Sequence, residues 1–189
     1  GTLAAIAVEG CTEADRPAAT LTLEFLRGAG LTITDACSDA GLVVTYSDGT
    51  PGGSCPVTII RTYTVTDACL NASTAQQTIT IDDNTNPVIS CPVPPINNTF
   101  EVIVNLDDTY VHDNDIDDWD ANAPDNCGTV TLKAELNGAT ISTEPHYTSL
   151  DGVIFSEGTT IVTWIATDAC GNSATCSFNV EVIGQADLE

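Results

Sequence analysis

Apolar and polar residues alternate along most of this chain with a period of two, the signature of strands with one buried face. The longest alternating runs are Val57–Thr66 and 159–167. A short polar turn follows each, then a second alternating run: Gln77-Thr78-Ile79-Thr80-Ile81 after the first, Phe178-Asn179-Val180-Glu181-Val182 after the second. Each pair reads as a strand–turn–strand unit. The first strand of each pair ends in the same phrase, Thr66-Asp67-Ala68-Cys69 and Thr167-Asp168-Ala169-Cys170, and each phrase has an upstream echo, Asp35-Ala36-Cys37 and Asp125-Asn126-Cys127. An internal repeat of this kind predicts two related modules, 1–84 and 85–184, with 185–189 as a tail whose closing Leu188-Glu189 reads as a vector-derived addition.

The remaining pattern fills in both modules. In the first, residues 3–8 predict an edge strand, and 21–25, 31–34 and 42–46 predict further strands. Tyr63 and Val65 share a face and are expected in the core, with Arg61 where that face reaches the rim. In the second, 100–106 and 129–136 read as strands, Asn137-Gly138 as a hairpin turn, and 139–143 as its partner strand. Val162, Trp164 and Ala166 line one inner face, and Phe178, Val180 and Val182 the facing one. No segment shows a convincing helical period. Many short strands separated by turns imply an all-β chain of two tandem β-sandwiches. The connection Asp82-Asp83-Asn84-Thr85-Asn86-Pro87 is too short for a floppy tether.

Charge narrows the function classes. The formal net charge is −23, and the cations are four: Arg16, Arg27, Arg61 and Lys133. Binding to nucleic acid or to an anionic membrane surface needs cations on the protein, so both are excluded as expectations, while divalent cations are favoured. No apolar run is long enough to span a bilayer, so membrane insertion is not expected. No leader with a basic start is present, so the sequence reads as a mature or excised piece. Eight cysteines fit disulfides in an oxidising compartment. Zinc is the weaker reading, because no Cys-x2-Cys pair occurs and His112 and His146 lie away from any cysteine cluster.

Several of these motifs together resemble a known family. They are the junction Asp82-Asp83-Asn84-Thr85-Asn86-Pro87-Val88-Ile89-Ser90-Cys91-Pro92, then Asp125-Asn126-Cys127, Gly158-Thr159-Thr160, and Thr167-Asp168-Ala169-Cys170-Gly171-Asn172. The chain resembles the hyalin-repeat (HYR) and related immunoglobulin-like modules of large secreted surface proteins, most closely those of bacterial gliding-motility and other adhesins. The likeness covers most of 85–183. It is weaker in the first module, where Leu70 stands in place of the glycine and Ala75 in place of the final cysteine. It implies two immunoglobulin-like sandwiches serving as a repeated spacer or adhesive module at a cell surface, not an enzyme. The expected partners are neighbouring repeats of the same chain, a surface polysaccharide or another surface protein. For sandwiches of this type it implies disulfides Cys91–Cys176 and Cys127–Cys170, and by analogy Cys37–Cys69. Cys11 and Cys55 remain for the fourth, although four cysteines allow three pairings.

Two sites are suggested by composition. Asp107, Asp108, Asp113, Asp115, Asp117, Asp118, Asp120 and Asp125 fall within 19 residues. Calcium takes six to eight hard oxygen ligands, so this stretch is either a calcium site or a solvated acidic loop. It is not an EF-hand: counting from Asp113, position six is Asp118 rather than glycine, and position twelve is Pro124 rather than glutamate. The candidate calcium donors are Asp82, Asp83, Asn84, Asn86, Asp113, Asp115, Asp117, Asp125 and Asp168, on the expectation that the acidic loop and the turn after Asp168 share the end of the module that meets the linker. Asp35, Asp67 and Asn71 could form a matching face in the first module, or simply cap turns. The alternative function is calcium-dependent carbohydrate binding, with Trp119, Tyr110 and His112 as the aromatic surface, against the plainer reading of Trp119 as a loop anchor. No HExxH, nucleophile elbow or phosphate loop is present. Asn71-Ala72-Ser73 and Asn97-Asn98-Thr99 match the glycosylation acceptor pattern.

Overall fold

In the computed structural model, residues 1–35, 41–105, 109–141 and 146–185 are described. They divide into two units, Gly1–Asn84 and Thr85–Glu189. No helix among the described residues is long and apolar enough to cross a membrane.

The first unit is built on β1 (Ile6–Glu9), β2 (Val43–Asp48), β3 (Val57–Thr66) and β4 (Ala72–Asp82), ordered β1-β4-β3-β2 in one sheet. β3 and β4 form an antiparallel hairpin from Val57↔Ile81 to Thr66↔Ala72, and β1 runs parallel to β4 at the sheet edge. Alternation buries one face: Val57, Ile59 and Tyr63 on β3, Ala75, Ile79 and Ile81 on β4. Arg61 and Gln77, paired in the register, sit on that same face between the two apolar clusters.

The layer over this sheet differs from expectation. Residues 21–25 do not form a strand. A short helix, α1 (Leu23–Gly28), takes their place, with the Thr22 hydroxyl accepting from the Phe25 N–H and Leu26 fully buried. Thr is a good N-cap, and Leu, Glu and Arg are good helix formers, so a single turn becomes favourable once Leu26 can reach the core. Residues 31–34 also form no strand. Phe25 packs on Tyr63, with ring centroids 5.9 Å apart. Arg61 is not at a rim. Its side chain is 2% exposed and makes a bidentate contact with Asp48, Nε to Oδ1 at 2.7 Å and a terminal nitrogen to Oδ2 at 2.9 Å. Its other terminal nitrogen donates to the Pro17 carbonyl, so one guanidinium ties β2 and β3 to the covering coil.

The second unit contains β5 (Thr99–Val104), β6 (Tyr110–Val111), β7 (Thr131–Gly138), β8 (Ile154–Phe155), β9 (Gly158–Thr167) and β10 (Ser173–Gly184). The main sheet is ordered β5-β10-β9-β7, and β6 pairs with β8 in a small second sheet. The first and last strands are again parallel, from Thr99↔Asn179 to Val104↔Gly184. Val162, Trp164, Phe178, Val180 and Val182 are buried against Trp119, Leu150 and Phe155. The fold class is thus all-β and immunoglobulin-like. The expected hairpin at Asn137-Gly138 is absent: β7 continues through Gly138, which pairs with Thr160, and the Ala139 N–H donates to the Thr159 carbonyl. Gly138 has φ +122°, and a Cβ there would lie 2.4 Å from the Thr159 oxygen. The glycine therefore serves a close backbone approach, not a turn. Of its expected partner, 139–141 form no strand, and 142–143 lie outside the described residues.

Candidate functional site

The repeated phrase builds the same turn twice. In the first unit, Asp67 Oδ1 accepts the N–H groups of Cys69 and Asn71 at 2.8 Å, and Asn71 Nδ2 donates to Asp67 Oδ2 at 2.7 Å. In the second, Asp168 Oδ1 accepts from the Cys170 and Asn172 N–H groups at 2.8 and 2.9 Å, and Asn172 Nδ2 donates to Asp168 Oδ2 at 2.9 Å. Donors of this kind stabilise the ionised carboxylate. The Asn71 amide, followed by the backbone N–H groups, holds Asp67 below the usual carboxylate range. At Asp168 burial pushes the other way, but the donors of Asn172, Cys170 and Gly171 outweigh it. Each turn needs one residue in the left-handed region: Gly171 at φ +93°, and Leu70 at φ +70°.

The acidic loop is organised by its apolar residue. Trp119 is 2% exposed, stacks on His112 at 3.9 Å and on Phe100 at 4.7 Å, and accepts the Trp164 indole N–H at its own carbonyl. His112 is equally buried, and Tyr110 is half-buried over Phe155 and Trp119. Trp119, Tyr110 and His112 are therefore a core anchor and not the exposed aromatic surface that sugar binding requires. The anchor is extended by polar contacts. His112 Nε2 lies 2.6 Å from Asn114 Oδ1, and Asn114 Nδ2 donates to Asp120 Oδ2 and to the Ser149 hydroxyl. Asp120 Oδ1 accepts the Leu150 N–H at 2.8 Å. Burial pushes the His112 imidazole below its ordinary value of 6.5, against the opposing pull of Asn114 and of the carboxylates of Asp120, Asp117 and Asp151.

Five of the nine proposed calcium donors, Asp113, Asp115, Asp117, Asp125 and Asp168, lie in the second unit, and four, Asp82, Asp83, Asn84 and Asn86, on the connection. Asp113 Oδ1 accepts the Asp115 N–H, and Asp113, Asp115 and Asp117 are exposed on that turn. Asp125 Oδ2 accepts the Cys127 N–H, and Asp168 closes the β9–β10 turn. Among the described residues, no three of Asp113, Asp115, Asp117, Asp125 and Asp168 bring carboxylate oxygens within 4.8 Å of one another. Asp82 ends β4 in register with Glu9. Glu9 accepts the Asn84 backbone N–H at 3.0 Å, Asp83 is buried, and Asn86 is exposed. Asp107, Asp108 and, in part, the acidic stretch they open lie outside the described residues, and so does Asp35's neighbour Cys37.

A disulfide joins Cys91 to Cys176. Cys11, Cys55, Cys127 and Cys170 are also disulfide-bonded. Cys69 is not: its thiol is free and exposed on the first-unit turn. The expected Cys37–Cys69 link is corrected on that point. The Cys69 N–H is held by Asp67, which fixes the backbone and leaves the side chain to solvent.

The profile of the HYR domain family matches residues 82–182. The chain belongs to that family. The HYR module so defined includes the linker carboxylates, the Trp119 anchor, the Asp168 turn and the Cys91–Cys176 bridge. No curated protein matches the chain in sequence. Similar solved structures include Drosophila N-cadherin EC1-3 (10% identity, TM-score 0.35, 77% of this chain and 57% of that one). Others are the tandem Ig repeats of Dlar (15%, TM-score 0.32, 78% and 85%) and human mucin-like protocadherin EC1-2 (11%, TM-score 0.31, 97% and 96%). The chain spans 57% of the N-cadherin fragment and 34% of the human desmocollin-1 ectodomain.

Proposed function

We propose that this chain is a pair of extracellular repeats from a longer surface protein, acting as a disulfide-fastened spacer that presents an adhesive face, and not an enzyme. HYR membership across 82–182 carries the reading. The disulfide chemistry supports an oxidising compartment, and the parallel first and last strands carry the chain from one end of each unit to the other. Neighbouring repeats of the same chain, and a surface polysaccharide or surface protein, are the partners that fit.

Calcium is the cofactor that the eight aspartates at 107–125 favour. Asp113, Asp118, Asp120 and Asp125 each already accept a backbone N–H, so calcium would act on a loop that these bonds also hold. Calcium-dependent carbohydrate binding is the weaker alternative because Trp119 is buried. Beads coated with the full chain, with calcium and with chelator, distinguish these readings on cells and on a glycan array. Adhesion to cells or to a copy of the chain, unchanged by chelator, is the expected result. Binding to free glycans that disappears with chelator would replace the spacer reading by the lectin one. Turnover in a hydrolase screen would overturn both.

A further inference from the structure

We propose that Asn97 is an N-glycosylation site, and that Asn71, the other acceptor sequence, is a structural turn residue and is not modified. The chemistry requires an Asn whose amide nitrogen is free, a hydroxyl residue two positions on, and room for a bulky polar group on the folded surface. Residues 96–99 provide all three. Ile96 and Thr99 pair across a tight turn whose central residues, Asn97 at φ +46° and Asn98 at φ +61°, are both left-handed. Asn tolerates that conformation better than other non-glycine residues. The two asparagines then divide the work. Asn98 Nδ2 donates to the Ser177 carbonyl at 3.0 Å, and its own carbonyl accepts the Asn179 N–H at 2.9 Å, which fastens the turn to β10. Asn97 is exposed, and its amide makes no hydrogen bond among the described residues. The Thr99 hydroxyl reaches back to the Asn97 carbonyl at 3.4 Å, so acceptor and hydroxyl residue lie side by side.

Asn71 contrasts at each point. Its Nδ2 is 2.7 Å from Asp67 Oδ2, and its backbone N–H is held by Asp67 Oδ1. Asn172 makes the same bonds to Asp168 in the second unit, where Ser173-Ala174 follows and no acceptor sequence exists. The match at 71–73 is thus a by-product of a turn that needs asparagine. The surface around Asn97 gives the modification a role. Val93 and Ile96 are 89% and 51% exposed, and a glycan on the turn tip would screen them from water and from other chains.

The bond formed joins Asn97 Nδ2 to the anomeric carbon of an oligosaccharide. The donor is a polyprenyl pyrophosphate-linked glycan, the leaving group is the polyprenyl pyrophosphate, and the amide gives up one proton. The assignment rests on the extracellular reading for its biological setting, so the test supplies the secretory route itself. The full chain is expressed behind a secretory leader in cultured animal cells, and the secreted protein is treated with peptide N-glycosidase in heavy-oxygen water before peptide mapping. Labelled aspartate is expected at position 97 in most molecules and at position 71 in few. Thr99→Ala should remove the glycan without touching Asn97, and Ser73→Ala should leave the gel mobility unchanged. A secreted, folded chain with unlabelled Asn97, or with position 71 labelled as fully as 97, overturns the proposal. Because the leader dictates the route, either outcome leaves the natural compartment untouched.

Discussion

Leu70 shows how one residue can carry a backbone role that its type resists. It stands where Gly171 stands in the second copy, at φ +70° and largely exposed, so no buried contact offsets the steric cost. A left-handed conformation costs an L-residue roughly 1–2 kcal/mol, part of which a glycine gives back as chain entropy. Leu70→Gly is expected to stabilise the first unit by about 1 kcal/mol, and Gly171→Leu to destabilise the second by a similar amount; urea midpoints measure both. His112 makes a second prediction at this scale. Its folded-state value is depressed by burial below 6.5. Between those two values the unfolded chain binds a proton that the folded one refuses, so stability is full above 6.5 and falls as pH drops through that window. Asp48, Asp67 and Asp168 are depressed below 3.8, so their contributions are lost only at lower pH and leave the histidine window clear. Melting of the second unit should fall as pH drops below the ordinary histidine value of 6.5, and His112→Gln should flatten that slope.

Within elements, Asp48 and Arg61 link β2 to β3 and both to the coil above. Arg16 adds a more exposed contact to Asp48 at 3.1 Å. Removing one member of a buried pair strands the other charge, at a cost of about 3–5 kcal/mol. Asp48→Asn should therefore cost the first unit about 3 kcal/mol, while Arg61→Met, which leaves no buried charge, should cost less. Chemical denaturation of the two variants gives the order. Which elements the sequence disclosed follows from the same physics. β3, β4, β9 and β10 were legible because alternation and the repeated phrase agree. α1 was not, because Leu21-Thr22-Leu23-Glu24-Phe25 alternates like a strand, and only the contact of Leu26 with the core selects the helix. Asn137-Gly138 misled for a related reason: glycine marks a turn and a close backbone approach alike, and Thr159 decides between them. At the site, turn capping at Asp67 and Asn71 was legible from residue type, and Asp168 with Asn172 repeats it, but the bonds that engage Asp113, Asp120 and Asp125 were not. The burial of Trp119 depends on Phe100 and Phe178, which are remote in sequence.

For the whole molecule, two related units repeat one topology, with the first strand parallel to the last. In the second unit the Cys91–Cys176 bridge closes a separation of 85 residues. The chain-entropy model assigns about 4–5 kcal/mol to a loop of that size. Replacing both cysteines by alanine should lower the stability of that unit by about that amount, read as a separate shift in a two-step melt. The bridge has a further consequence once the chain is pulled. Were the bridge reduced, a chain that enters at the foot of β5 and leaves at the head of β10 would load the hydrogen bonds between those strands in shear, all together and not one by one. Tension arriving at Cys91 crosses the sulfur–sulfur bond directly into β10 and bypasses everything between. With the bridge intact, those 85 residues cannot be paid out as slack. With it reduced, they add about 290 Å of contour length, at about 3.4 Å per residue. Thiol–disulfide chemistry thus sets whether this segment behaves under load as a short stiff link or as a long extensible one.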